Sequence, residues 1–238
     1  MRAPTLIIVA AYNEADRIRA TLDALALAFP ERPVWVADDG STDATPQIAR
    51  EAGARVVRSE RVIGKGAAVT LAAREALDAA PGAAQAAGES VFLLCDGDLG
   101  ESAARLGAIV DAVARGEADV AIAAFARRVG GGFGVAVGFA RWAIRRRCGF
   151  DATAPISGQR ALNERALRDV LPFARDFGME IGITIDAVRA GYRVREIELD
   201  LEHRATGRTL GGFAHRARQL VDFARVYLAR APLGSRAR

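Results

Sequence analysis

The chain is poor in cysteine, histidine and lysine, and it has no long apolar run. Cys95 and Cys148 are its only cysteines. They lie far apart, which excludes a disulfide framework and zinc-type spacing and makes the cytoplasm the expected compartment. The longest uncharged stretch, residues 129–140, is rich in glycine and alanine and shorter than the roughly 20 apolar residues a membrane span needs. Arg2 and the LIIVAAY that follows imitate a signal peptide, but no cleavage region comes after them. Asn13, Glu14 and Asp16 arrive at once, so a first buried strand is expected. Two phosphate-binding fingerprints are also missing. A dinucleotide site would carry G-x-G-x-x-G after the first strand, where this chain has AAYNEA. Gly64-Lys65-Gly66 lacks the upstream glycine and the Ser/Thr of a Walker loop.

What is present is a chain of 238 residues, 51% apolar and formally +4, long enough for one soluble domain spanning 1–238. Its basic residues are arginine except for Lys65. Arg141, Arg145, Arg146 and Arg147 cluster, and residues 204–238 are basic with few acids. Such patches suit phosphate groups or an anionic membrane surface.

Short apolar runs alternate with helical periodicity, the signature of an α/β protein with a mostly parallel sheet. Strands are expected at Thr5–Ala10, Val34–Ala37, Arg55–Arg58, Val91–Cys95, Asp119–Ala124 and Arg193–Leu199. Helices are expected at Ala15–Leu27, Thr45–Ala52 with Thr45 as cap, Ala67–Ala79 and Ser102–Arg115. Further on, they are expected in the stretch reaching Arg147 and at Asn163–Leu171, Ile181–Ala190 and Phe213–Leu228. Residues 80–89 read as a surface loop and 130–134 as a glycine-rich link. The apolar positions of the last helix suit packing on the domain or on a second copy.

Ligands of an open parallel sheet bind beyond the carboxyl ends of its strands. Here the first strand runs into AAYNE, the second into DDGSTD and the fourth into DGD. Asp-Gly and Ser-Thr-Asp are ordinary turn chemistry one at a time. Three such clusters on one edge point to a site. Asp96 and Asp98, separated by Gly97, can converge on a hard cation, and that cation would bridge a diphosphate.

At these positions the chain resembles the family 2 glycosyltransferases of the GT-A fold. AAYNE is similar to the family's P-A-Y-N-E, with Ala10 in place of proline, and VADDGSTDAT to its V-D-D-G-S-T-D. IGKGAAV, DGD and APISGQRAL match further segments, and FGMEIGITIDAVRAGYRVREIEL resembles the block closing the acceptor half. That block is shared by polyprenyl-phosphate glycosyltransferases and glucosyl-3-phosphoglycerate synthases. The resemblance implies a Rossmann-like three-layer α/β/α fold, with residues 1–98 as the nucleotide-sugar half and 99–238 as the acceptor half, ending in a basic helix. It implies Mg²⁺ or Mn²⁺ as cofactor and a nucleotide-diphosphate sugar as donor. The acceptor would be a phosphorylated small molecule or a polyprenyl phosphate, with membrane contact at most peripheral, at the inner face. Homodimer formation is compatible with it, and no nucleic acid is expected.

Carried over by position, Tyr12, Glu14, Asp38 and Asp39 fall where the family holds base and ribose, and Asp39 also suits a plain turn. Lys65 and Asp96 approach the donor. Asp96 and Asp98 match the metal-binding D-x-D, and His203 the place of a third ligand. Arg204 or Arg208 suits a loop closing on the leaving diphosphate. Ser157, Gly158 and Arg160 shape the acceptor side. Glu180 and Asp98 are the catalytic candidates, Glu180 as a base if a hydroxyl is attacked through inversion. Asp186, six residues on, points to a different face and suits a hydrogen-bonding role. A dehalogenase-type phosphatase would place its D-x-D on the first strand. A nucleotidyltransferase would carry a glycine-rich loop there. A non-enzymatic module binding membrane or nucleic acid would explain the arginines but not the acidic clusters.

Overall fold

The apolar residues of the first strand face two cores in alternation, and this sets up the layers. β1 (Thr5–Ala11) is buried along almost its whole length. Ile7, Val9 and Ala11 pack with Ile18, Leu22, Leu106 and Ile109 on one side of the sheet. Leu6 and Ile8 pack with Val69, Ala73, Leu167 and Ile183 on the other. A strand buried on both faces belongs in the middle of a sheet flanked by helices. The computed structural model describes residues 4–80, 89–125, 134–201 and 210–230.

The sheet has seven strands in the order β3-β2-β1-β4-β6-β5-β7. They are β1, β2 (Val34–Asp38), β3 (Arg55–Arg58), β4 (Val91–Asp96), β5 (Val120–Phe125), β6 (Arg160–Asn163) and β7 (Val194–Leu199). Every pairing is parallel except the two made by β6, which runs antiparallel between β4 and β5. The mostly parallel α/β sheet is therefore as expected, but β6 is an addition, lying in the APISGQRAL segment where no strand was expected.

The helices are α1 (Ile18–Ala28), α2 (Thr45–Glu51), α3 (Lys65–Ala79), α4 (Gly107–Ala114), α5 (Gly134–Cys148), α6 (Glu164–Val170), α7 (Met179–Arg189) and α8 (Leu210–Ala229). Two of the differences from expectation are instructive. The helix expected from Ser102 opens as a 3₁₀ segment, Gly100–Leu106, before α4. Thr45 is not a cap but the first residue of α2, and its hydroxyl bonds to a neighbouring loop instead. Asn163 does cap α6, accepting from the Ala166 amide at 2.8 Å. The expected loop at 80–89 and the link at 130–134 fall largely outside the described residues. In α8, Phe223 and Val226 pack on Ile144, Ile181 and Ile185, so these positions close on the chain's own core.

Lys65 opens α3 between two glycines that the packing demands. Gly64 has φ +95°, a left-handed conformation. A Cβ on Gly66 would overlap the carbonyl oxygen of Ala174. Gly66→Ala should lower unfolding stability by about 1–3 kcal/mol or more, because backbone rather than a movable side chain blocks it. Gly107→Ala, where a Cβ meets nothing within 4 Å, should be neutral or stabilising by up to about 1 kcal/mol. Denaturant midpoints of the two variants check the contrast.

Candidate active site

Parallel pairing brings the acidic strand ends together. β1 lies between β2 and β4, with Ala11 in register with Asp38 and Ala10 with Asp96. The loop after β1 is stitched to the loop after β2. The amide of Asn13 donates to Ser41 Oγ at 2.9 Å, and Asn13 Oδ1 accepts from the Thr42 amide at 2.8 Å. The amide of Glu14 donates to Thr45 Oγ1 at 2.8 Å, and that of Ala15 to Asp43 Oδ2 at 3.2 Å. Asn13 adopts φ 54°, which asparagine tolerates better than most side chains. Burial raises the Asp43 carboxyl, but bonds from the Thr45 hydroxyl and amide outweigh it and leave the pKa below the usual range. Tyr12 stands clear of this mesh, 47% exposed.

Asp38 and Asp39 are turned inward. Asp38, fully buried, accepts from the Ser41 amide at 3.1 Å, and its other oxygen lies 3.3 Å from Arg58 Nε without hydrogen-bond alignment. Asp39 accepts from the amides of Ile63 and Gly64 at 2.7 and 3.1 Å. Burial pushes its carboxyl pKa up, against the pull of those two amides. Asp39 therefore anchors the turn from which Lys65 projects.

After β4 the chain turns at Gly97, where a Cβ would sit 3.0 Å from Ile18 Cδ1 and 3.1 Å from the Ala10 carbonyl. The buried hydroxyl of Thr21 holds this turn, donating to the Gly97 carbonyl and accepting from the Gly100 amide, both at 2.8 Å. Arg17 donates to the Asp98 carbonyl at 3.3 Å. Asp98 is thus displayed, half-buried, from a turn fixed by α1. Sequence reasoning passed over Thr21. Its signal was a threonine on the apolar stripe of α1 with Ile18, Leu22 and Leu25, where a buried hydroxyl needs partners.

Lys65 joins the two halves of the chain. Its Nζ lies 2.6 Å from Asp96 Oδ1 and 2.7 Å from Glu180 Oε1. A cation in the first turn of a helix opposes the macrodipole, and here two carboxylates offset that cost. Burial pulls the ammonium pKa down, but Asp96 and Glu180 outweigh it and push it well above the usual lysine range. Glu180, in the first turn of α7, is only 4% exposed. Gly158 closes the other side, since a Cβ there would come 2.5 Å from Asp96 Oδ2 and 2.9 Å from Lys65 Nζ.

The other acceptor-side candidates lie behind this surface. Ser157 is buried and Arg160 has no exposed surface, so the Arg160 side chain lies within the core rather than on the face of the site. Asp186 pairs with Arg230, whose Nε is 2.7 Å from its Oδ1. Cys95 is buried and its thiol pKa is pushed far up by that burial, so it contributes packing, not reactivity.

His203, Arg204 and Arg208 lie outside the described residues. Among the described residues no three His, Cys, Asp or Glu side chains cluster as a metal cage. What remains is an oxygen-only pair, Asp96 and Asp98, beside an ammonium. That donor set fits Mg²⁺ or Mn²⁺ provided the other positions are filled by ligand oxygens.

Removing the ammonium should expose the cost of burying Glu180. Lys65→Met should lose about 1–3 kcal/mol of stability, discounted for the partly open position of Lys65. Adding Glu180→Gln should recover part of it, with a coupling of about 1 kcal/mol or more in a double-mutant cycle by denaturation. Strict additivity would mean the contact contributes nothing.

Residues 6–147 match the family described as Glycosyl transferase family 2. No curated protein matches the chain. Among solved structures, glucosyl-3-phosphoglycerate synthase from Mycobacterium tuberculosis is similar in several complexes. The complex with Mn²⁺, uridine-diphosphate and glucosyl-3-phosphoglycerate aligns with TM-score 0.73 at 26% identity, over 96% of this chain and 80% of that one. The complex with Mg²⁺ and uridine-diphosphate gives 0.73 at 26%, over 96% and 79%. The complex with phosphoglyceric acid gives 0.72 at 26%, over 96% and 80%. These matches give no support to a nucleotidyltransferase or to a non-enzymatic binding module. With its mostly parallel sheet and its acidic strand ends gathered on one edge, the chain belongs to glycosyl transferase family 2 and has the GT-A fold.

Proposed function

We propose that the protein transfers a sugar from a uridine-diphosphate sugar to a phosphorylated acceptor, using Mn²⁺ or Mg²⁺. The observation that carries the reading is the convergence of Asp96, Lys65 and Glu180, at 2.6 and 2.7 Å, beside Asp98. It is supported by similar synthase structures from Mycobacterium tuberculosis that hold uridine-diphosphate with either ion, and phosphoglyceric acid.

The residues divide the work by position. Exposed Tyr12 offers a ring face to the base, with Glu14 beside it, while Asp38 and Asp39 hold the loops that frame the nucleotide. Asp96 and Asp98 would hold the cation, which would supply positive charge beside the donor's diphosphate. His203 is the proposed third ligand, with Arg204 or Arg208 pairing with the diphosphate. Lys65 keeps Asp96 aimed and lowers the negative potential that an anionic donor meets. The Ser157–Gly158 segment forms the acceptor wall, supported by Arg160. Glu180 stands on that side as the carboxylate nearest the acceptor. It takes a proton when the acceptor attacks through a hydroxyl, and no proton moves when the acceptor attacks through a phosphate.

Exposed Trp142 beside Arg141 and Arg145 on α5 supports extending the acceptor class to polyprenyl phosphates met at a membrane surface. No helix among the described residues is long and apolar enough to cross a membrane.

Incubation with a panel of nucleotide sugars and Mn²⁺ or Mg²⁺ tests the reading. A uridine-diphosphate sugar should bind and hydrolyse slowly only with metal, and Asp98→Ala should abolish the metal dependence. Absence of binding by every donor with both ions would overturn it.

A further inference from the structure

Arg160 is an anomaly in the strand that holds it. β6 is flanked by β4 and β5, with Arg160 in register with Leu94 and Ile122, and its side chain has no exposed surface. Burying a guanidinium costs several kcal/mol unless it is well paired. Yet Arg160 makes no ion pair among the described residues, and its Nη2 finds no hydrogen-bond acceptor there. Burial pushes its pKa down to about 10, with Glu180 and Glu196 pulling the other way. An apolar side chain would serve the core better, so the reason for a guanidinium lies in what it connects.

Its two hydrogen bonds run to the two walls of the site. Nε donates to the Ser157 carbonyl at 2.9 Å, and Nη1 donates to Thr184 Oγ1 at 2.9 Å. The Thr184 hydroxyl in turn donates to the Glu180 carbonyl at 3.0 Å, one turn back along α7. Glu180 accepts from Lys65, Lys65 holds Asp96, and Asp96 abuts Gly158, whose peptide begins at the Ser157 carbonyl. The contacts close into a ring: Arg160, Thr184, Glu180, Lys65, Asp96, Gly158, Ser157 and back to Arg160.

We infer that Arg160 is a positioning residue that clamps the first turn of α7 to the 157–158 segment and so sets where the Glu180 carboxylate meets Lys65. The inference rests on the proposed role of Glu180 for its bearing on turnover, but the clamp itself does not. Thr184 is the relay, since the same hydroxyl accepts from the guanidinium and donates to the helix. Gly158 is the second contact, because the clamp draws it against Asp96 more closely than any Cβ would allow.

The chain offers a reporter independent of activity, because Lys65 is its only lysine. Mass spectrometry of the Lys65 peptide after brief treatment with an amine-acylating reagent measures how often the ammonium leaves its carboxylates. Arg160→Met, similar in length and uncharged, should raise the labelling rate roughly tenfold, the scale of one charge-assisted hydrogen bond. Thr184→Val cuts the relay with the charge left in place, and should raise labelling in the same direction. In both variants, slow hydrolysis of a uridine-diphosphate sugar should fall while uridine-diphosphate affinity stays within about threefold, as for a loss confined to turnover. Circular dichroism checks that each variant is folded, and if Arg160→Met is not, Thr184→Val decides. Unchanged Lys65 labelling in a folded variant would overturn the clamp. Failure of the wild type to bind any nucleotide sugar would overturn the proposed function and leave the labelling result standing.

Discussion

One ammonium group organises the site. Lys65 touches carboxylates from distant parts of the chain, Asp96 at the end of β4 and Glu180 at the start of α7. Without a cation between them, two partly buried carboxylates facing one point would repel and take up new positions. The surrounding backbone is arranged to bring that cation in. Gly64 allows the turn, Gly66 lets α3 press against the 174–176 segment, and Gly158 lets the segment before β6 approach Asp96. Each glycine answers a specific close approach, and all three lie within the reach of one lysine.

The sheet topology explains how distant segments meet. Parallel β1, β2 and β4 put their polar ends on one edge, as in other open α/β sheets. Antiparallel β6 then returns the chain along β4, so the 157–158 segment that precedes it lands beside Asp96. The same strand carries Arg160 into the interior, where it reaches Ser157 and Thr184. Rigidity follows from the hydrogen-bonded loops, with Thr21, Asn13, Thr45 and Asp39 each tying one segment to another. A site built this way needs little reorganisation to hold a charged donor.

Much of this was legible in the sequence because it is written locally. Apolar runs ending in AAYNE, DDGSTD and DGD mark parallel strands with acidic ends, and Lys65 stands out as the one lysine. A helix was expected from Ile181, and α7 begins two residues earlier, so that Glu180 lies in its first turn. What could not be read depends on distant contacts. β6 is four residues long and begins with a buried arginine, so neither alternation nor apolarity announces it. Thr45 looks like a cap by type, but a loop thirty-one residues away claims its hydroxyl. Asp38 and Asp39 look alike as exposed turn acids, and only packing shows that one is sealed in and the other holds Gly64. Thr21 is invisible without the turn it supports.

The central claim is that this sheet edge binds a metal and a nucleotide diphosphate together through Asp96 and Asp98 at the end of β4. Crystals grown with Mn²⁺ and uridine-diphosphate, measured for anomalous scattering of manganese, test it most directly. The account predicts a manganese peak within about 2.0–2.3 Å of an Asp98 carboxylate oxygen, with the nucleotide lying between the loops after β1 and β2. A manganese ion bound elsewhere, or a nucleotide bound at this edge with no metal contact to Asp96 or Asp98, would contradict it.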